Sequence, residues 1–226
     1  MTIHLAILTQ GNQANLDRLL SETFWHSVWG RVSAIWLLNN GGEEVQVSSP
    51  SHHYPYLRYI PCLTNLGCAG GRKYLTEKIM KSRICGEGFN ADDVIVYLDD
   101  DVQVVGLDWV RLLCEPLMGG YSISGVAGRR VTEDVLTVEA SGDEVSYVSG
   151  GWCAIRGDVF LDGIQFDTQF NPCYFEDCDI GFQCRAKGKK LIAVGDVGLI
   201  HEHPPTNEMA HQVMINREKF KAKWGL

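Results

Sequence analysis

The 226-residue chain is short of positive charge: 20 Lys and Arg face 28 Asp and Glu, for a formal net charge of −8. Proteins that grip nucleic-acid backbone draw their affinity from cations that neutralise phosphates, so that class is disfavoured. A DNA-modifying enzyme with a local basic groove is still compatible with this balance. Long hydrophobic runs are also missing, and no stretch approaches the roughly 20 consecutive apolar residues of a membrane-spanning helix. Met1-Thr2-Ile3-His4 lacks the basic start of a secretory signal. The expectation is a soluble, cytoplasmic protein. Eight cysteines, at 62, 68, 85, 114, 153, 173, 178 and 184, include no C-x-x-C pair, whereas structural zinc usually takes ligands at tighter, repeated spacings. Reduced cysteines acting as small hydrophobes are the simpler reading. A zinc set of Cys173, Cys178 and Cys184 with His201 or His203 is the alternative. Internal repeats, low-complexity tracts and linkers are absent, and 24 Gly with 7 Pro show no collagen-like period.

What is present is a hydrophobic fraction of 45%, too high for a disordered chain and enough for one sizeable core. Ile3 to Leu8 reads as a strand ended by Gln10-Gly11-Asn12. Asn12 or Asn15 can cap a helix whose apolar residues Leu16, Leu19, Leu20, Phe24 and Val28 recur at helical spacing. Val32 to Leu38 is nearly continuous in apolar residues, as in a strand buried on both faces, and stops at Asn39-Asn40-Gly41-Gly42. A strand at Leu57 to Ile60 follows, then a helix after Gly70-Gly71 with Tyr74, Leu75 and Ile79 on one face. The strand Val94 to Leu98 runs straight into three aspartates. Such alternation of strand and helix is the pattern of βα units on a parallel sheet.

Beyond Asp101 the rhythm changes. A helix around Trp109, Leu112, Leu113 and Leu117 leads to a strand at Ile123 to Ala127. Weak alternation from Val131 to Ser149 around Ser141-Gly142-Asp143 predicts an antiparallel hairpin. Helix returns from Glu176 to Lys187, strand at Leu191 to Val194, and a short strand enters His201-Glu202-His203. A last helix carries Met209, Val213, Phe220 and Trp224 on one side. The expected organisation is one α/β domain over 1–226, a nucleotide-type half over 1–103 and a second half over 104–226 that adds a mixed edge and a lid.

Asp99-Asp100-Asp101 is the densest chemical signal. Three adjacent carboxylates repel one another unless a cation or abundant solvent screens them, and in open α/β sheets ligands bind at the carboxyl ends of strands. Backbone alternation sends Asp99 and Asp101 to one side and Asp100 to the other. Their hard oxygens suit Mg²⁺ or Mn²⁺; a solvated acidic turn is the plainer alternative. Asn65-Leu66-Gly67-Cys68-Ala69-Gly70-Gly71-Arg72-Lys73 is a small-residue loop opening a helix, with a guanidinium able to contact phosphate oxygens. It lacks the Walker ending and the G-x-G-x-x-G spacing, and an ordinary Gly-rich turn would look the same. Phe175-Glu176-Asp177-Cys178-Asp179 opens a helix with three acids. They complement the helix dipole, yet the aromatic flank Tyr174-Phe175 could desolvate one of them into a general base. His201-Glu202-His203 places two imidazoles on one face of a strand, a modest metal signal. Gly150-Gly151-Trp152 is either core or an aromatic platform that glycines let a sugar or base approach.

Taken in order, these motifs resemble the family 2 glycosyltransferases of GT-A fold over nearly the whole chain. The matching residues are Ala6-Ile7-Leu8-Thr9, Leu37-Leu38-Asn39-Asn40-Gly41, Asn65-Leu66-Gly67 with Gly70-Gly71-Arg72-Lys73, Leu98-Asp99-Asp100-Asp101-Val102 and Asp108-Trp109. The series continues with Gly150-Gly151, Arg156, Phe160, Phe166-Asp167, Tyr174 to Asp179, Arg185, Gly188 and His201. The resemblance implies a Rossmann-like, mainly parallel sheet and a metal-dependent, inverting transfer of sugar from a nucleoside-diphosphate sugar to an acceptor hydroxyl. It makes 1–103 the nucleotide-sugar-binding half and 104–226 the acceptor-binding and catalytic half. Thr9 and Asn39 would lie at the nucleobase, with Asn65, Gly71, Arg72, Asp99 and Asp100 completing the donor site. Asp101 would bind Mn²⁺ or Mg²⁺, joined by His201 or His203. Asp177 would be the general base, with Glu176 orienting acceptor or sugar, and Gly151 and Trp152 would meet the acceptor. Many members carry Asp where Asn39 stands, and an amide presents a different donor and acceptor set to a base, which weakens the expected preference for a UDP-sugar. A nucleotidyltransferase of similar fold is the first competing reading. A noncatalytic sugar-nucleotide sensor or a zinc-binding module is the second. The acceptor class, a nucleic acid among them, stays open.

Overall fold

The computed structural model describes residues 1–47, 56–82, 88–201 and 207–226. The first strand, β1 (Ile3–Thr9), is followed by two short helices where one was expected, α1 (Gln13–Leu19) and α2 (Glu22–Val28). Asn12 caps α1, its Oδ1 accepting the Asn15 N–H at 3.1 Å, and Ser21 caps α2, its Oγ accepting the Phe24 N–H at 3.4 Å. A capping side chain offers the backbone an alternative to continuing the helix. The apolar spacing survives the break, with Leu16, Leu19, Phe24 and Val28 all in the core.

β2 (Ala34–Asn40) is buried along its length, and β3 (Tyr56–Cys62), α3 (Gly67–Met80) and β4 (Val94–Asp99) complete the βα half. β5 (Val102–Val104), α4 (Trp109–Met118) and β6 (Ile123–Gly125) follow. The segment 131–149 is not the expected hairpin. β7 (Gly128–Val131) lies between β8 (Thr137–Ala140) and β9 (Tyr147–Val148) in a separate three-stranded antiparallel sheet. The tight connection is at 132–136, where the Thr132 and Leu136 backbones bond across the turn. Gly142, expected at a hairpin tip, instead bridges Ala193. β10 (Trp152–Arg156) and the short α5 (Gly157–Leu161) were not anticipated, because β10 is both brief and buried on its two faces at Cys153, Ala154 and Ile155. α6 (Glu176–Ala186), β11 (Leu191–Ala193), β12 (Leu199–His201) and α7 (Asn207–Trp224) match the sequence reading.

The central sheet has seven strands in the order β11-β6-β10-β4-β1-β2-β3, and only β10 runs antiparallel to its neighbours. Alternation along β4 sends Val94, Val96 and Leu98 into one apolar layer with α1, α2 and α4, and Ile95 and Tyr97 into the other with α3, α5 and α6. The class is therefore the mixed, mainly parallel, helix-flanked sheet that the sequence implied. A third cluster of Tyr147, Phe170, Phe175, Cys178 and Phe220 seats α7 against α6. Fully buried Asp179 anchors that contact, accepting from Lys223 Nζ at 2.9 Å and Trp224 Nε1 at 3.0 Å. Among the described residues no helix is long and apolar enough to cross a membrane.

Candidate active site

The carboxyl ends of β1, β2 and β4 lie side by side, with Thr9 opposite Asn39 and Leu8 opposite Asp99. Alternation past Leu98 then separates the three aspartates. Asp100 turns towards the α1 side, where Thr9 Oγ1 donates to it at 2.5 Å and Asn15 Nδ2 at 3.3 Å. Burial raises its pKa, and those two donors work against the rise. Asp99 and Asp101 turn the other way and meet His201 at the end of β12, which β5 holds in antiparallel register with His201 opposite Val102. One ligand atom from each of Asp99, Asp101 and His201 lies within 4.8 Å of the others. His201 Nε2 is 2.9 Å from Asp101 Oδ1. Burial lowers the imidazole pKa, but the bond to Asp101 and its charge outweigh that and raise it. Two carboxylate oxygens and an imidazole nitrogen so arranged fit a divalent cation that keeps positions open for other ligands.

Arg72 connects this cluster to the second acidic motif. Its side chain is 3% exposed; Nη2 donates to both Asp99 oxygens at 2.8 Å and Nη1 to Glu176 Oε1 at 2.7 Å. Gly70-Gly71 allow this approach, since a Cβ on Gly71 would stand 2.6 Å from Leu8 Cδ1. Glu176 and Asp177 open α6 beside it. Asp177 accepts the Cys178 N–H at 2.8 Å and the Gly150 N–H at 3.4 Å. Burial raises the Asp177 pKa, with Arg72 and those amides opposing. Burial and the neighbouring Asp177 charge push Glu176 up to about 8 against the pull of Arg72. Gly151 is small of necessity, because a Cβ there would lie 2.6 Å from Asp99 Oδ2. Trp152 follows and packs edge-on to His201 with ring centroids 5.2 Å apart.

The turn into α6 is strained: Tyr174 and Phe175 both adopt left-handed φ, at 72° and 71°. Buried Asn216 of α7 holds that turn, its Nδ2 facing the carbonyls of Phe170, Cys173 and Tyr174 at 2.7 to 2.9 Å. Beside the turn is a cleft of about 470 Å³ lined by Asp177, Trp152, His201, Tyr147, Tyr174 and Arg129, among others. Asp177, His201 and Trp152, expected from separate motifs, therefore share one cavity. Arg129, Tyr147 and Asn216 carried no sequence signal. The first two belong to the small sheet that was read as a plain hairpin, and Asn216 to a helix read only for its apolar face.

Other expected residues take part in hydrogen bonds within the chain. Asn39 is buried, its Nδ2 donating to the Glu43 carbonyl at 2.6 Å and its Oδ1 accepting the Gly42 N–H at 3.3 Å. Asn65 accepts from Asn40 Nδ2 and from the Gly67 N–H, shaping the start of α3. His203 lies outside the described residues. Among the described residues, the one group of three or more metal-ligating side chains is Asp99, Asp101 and His201. Cys173, Cys178, Cys184 and His201 do not gather as the zinc alternative required, since Cys184 is buried in the α5–α6 layer and Cys178 in the α7 cluster.

No protein-family model matches the chain, and no curated protein sequence matches it. Solved structures do. The mannosyltransferase PcManGT from Pyrobaculum calidifontis, in complex with GDP-Man and Mn²⁺, superposes with a TM-score of 0.68 at 12% identity, over 98% of this chain and 64% of that one. GalNAc-T7 with UDP, GalNAc and Mn²⁺ gives a TM-score of 0.61 at 16% identity, over 86% of this chain and 42% of that one. The chain spans less than two thirds of the length of either structure, and at these identities the likeness establishes the fold. The mixed sheet with an acidic strand end is accordingly a GT-A-type fold, the fold of those glycosyltransferases.

Proposed function

We propose that the chain is a metal-dependent glycosyltransferase that moves a sugar from a nucleoside-diphosphate sugar to an acceptor hydroxyl with inversion. The observation that carries this reading is the cleft that Asp177 and Trp152 line together with His201, the imidazole that groups with Asp99 and Asp101 as a candidate cation site. The likeness to structures holding GDP-Man or UDP with Mn²⁺ supports the donor class, and the order of motifs supports family 2. Asp99, Asp101 and His201 would hold Mn²⁺, whose tolerance of an imidazole ligand favours it over Mg²⁺. The bound cation supplies charge stabilisation to the departing diphosphate.

The chain's own residues do the rest. Thr9 and the Asn39 turn form the floor for the nucleobase, with Thr9 fixed through Asp100. Asn65 and Gly71 set the start of α3, from which Arg72 keeps Asp99 and Glu176 in position. Gly151 lets the acceptor and donor sugar come close to Asp99, and Trp152 offers an apolar wall. Asp177 takes the proton from the attacking hydroxyl, and burial, by raising its pKa, makes it a stronger base than an exposed aspartate. Glu176, held by Arg72, orients the sugar. A panel of UDP- and GDP-sugars with Mn²⁺, scored by thermal shift and by released nucleotide, tests the reading. Release of nucleoside diphosphate supports glycosyl transfer; release of pyrophosphate would make the chain a nucleotidyltransferase.

A further inference from the structure

We propose that the acceptor is an anion and that Arg129 is the residue that reads its charge, binding a carboxylate or phosphate group of the acceptor while the reacting hydroxyl lies at Asp177. The proposal rests on the glycosyl-transfer reading above and specifies the substrate class of the same cleft.

Arg129 is in β7, opposite Glu139 on β8 and Tyr147 on β9. Side chains opposite one another on neighbouring strands share a face, and Arg129, Thr137 and Tyr147 all line the Asp177 cleft. Arg129 is half-buried there, whereas the next residue, Arg130, points to the other face and is exposed. The remaining buried and half-buried arginines of the described residues are all engaged. Arg72 holds two carboxylates, Arg156 pairs with Asp158, Arg217 donates to the Val135 carbonyl and Arg58 stacks on Trp36. The Arg129 guanidinium makes neither a hydrogen bond nor an ion pair nor a ring stack among the described residues, and Glu139, opposite it on β8, is exposed. A guanidinium that lines a cleft with no partner of its own presents a fork of donors that matches a carboxylate or phosphate.

The surroundings say what else the ligand carries. Tyr147 lines the cleft with Arg129 and Asp177 and is within electrostatic reach of both. Trp152, Tyr147, Tyr174 and Phe175 give the cleft aromatic walls, suited to the apolar face of a ring. The cation cluster takes Asp99 from the end of β4, Asp101 from the turn into β5 and His201 from β12, so the donor's diphosphate has its own counter-charge outside the small sheet that carries Arg129. A small ring bearing one anionic group and one free hydroxyl fits these features together.

The test uses the full chain with Mn²⁺ and saturating UDP or GDP, titrated with three probes: methyl glucoside, methyl glucuronide and glucose 6-phosphate. At least one charged probe is expected to bind about tenfold tighter than the neutral one, the worth of one charge-assisted contact. The two charged arms distinguish carboxylate from phosphate. Arg129→Gln should erase the difference and Arg129→Lys keep part of it, and high salt should shrink it in the unmodified protein without any substitution. Equal binding of charged and neutral probes, including no binding of any, overturns the proposal. So does a preference that survives in Arg129→Gln, or a loss that falls on nucleotide affinity instead. Failure of the underlying reading is seen separately, as nucleotide that does not bind with Mn²⁺.

Discussion

Arg72 decides the electrostatics of the site at the level of single residues. One buried guanidinium holds Asp99 and Glu176, which come from strands and helices more than a hundred residues apart in the chain in the case of Glu176. Arg72→Met leaves both carboxylates without that charge, and breaking a buried pair in this way costs about 3–5 kcal/mol; urea unfolding measures it. Arg72→Lys keeps a charge but not the fork that spans two acids, so it should recover stability only in part. Asp177→Asn should lower transfer by about 10²–10⁴-fold, read as turnover at saturating donor, with nucleotide affinity preserved. Unchanged turnover in a folded variant would remove Asp177 from the role of base. The acids themselves were legible in the sequence, since clustered carboxylates at a strand end and a helix start are unusual. Their partners were not. Nothing in one dimension places Glu176 beside Arg72, and Asp179, grouped with the site acids by sequence, proves to be the buried anchor of Lys223 and Trp224.

At the scale of elements, the turn from Phe170 to Phe175 is what aims Glu176 and Asp177. Two left-handed residues in succession persist only where surrounding contacts over-determine them, and Asn216 supplies those contacts from α7. Asn216→Ala would leave three carbonyls without that donor, the Phe170 carbonyl buried and the other two partly so. The expected loss is about 1–3 kcal/mol, seen in urea unfolding, together with a fall in kcat larger than any change in donor KM. The strands β1, β2 and β4 were readable because each is a continuous apolar run ending in polar residues. The single helix expected over 12–28 splits at Ser21 because a local cap overrides a spacing that both arrangements satisfy equally. The hairpin expected around Gly142 failed for a different reason: weak alternation does not say which strand is the partner, and β7 takes two. That same sheet supplies Arg129 and Tyr147, so the missed pairing is also the missed part of the site.

For the whole molecule, charge is distributed by function more than by composition. Of the 28 acids, Asp99, Asp100 and Asp101 gather at the carboxyl end of β4 and Glu176 and Asp177 at the start of α6, joined through Arg72, and a bound divalent cation would offset part of the net −8. Stability should respond to pH elsewhere. His4 is buried between Trp36 and Phe89, and burial lowers its pKa from 6.5 to about 4. The unfolded chain then takes up a proton that the native state refuses, so stability is full above pH 6.5 and lost as pH falls towards 4. The decrement attributable to His4 is about 3 kcal/mol. It is measured as the difference in unfolding free energy between pH 7.5 and pH 4.5, and His4→Gln should lack it. The GT-A-type class was legible from motif order, whereas identities of 12% and 16% to the matching structures leave the reaction to experiment.

The most direct measurement is nucleotide release from a sugar-nucleotide panel with and without Mn²⁺, in the unmodified chain and in Asp101→Ala. The expected result is nucleoside diphosphate from at least one donor, abolished by chelation and by the substitution. Nucleotide release that ignores Mn²⁺ and Asp101, or pyrophosphate in place of nucleoside diphosphate, would contradict a metal-dependent glycosyl transfer at this cleft.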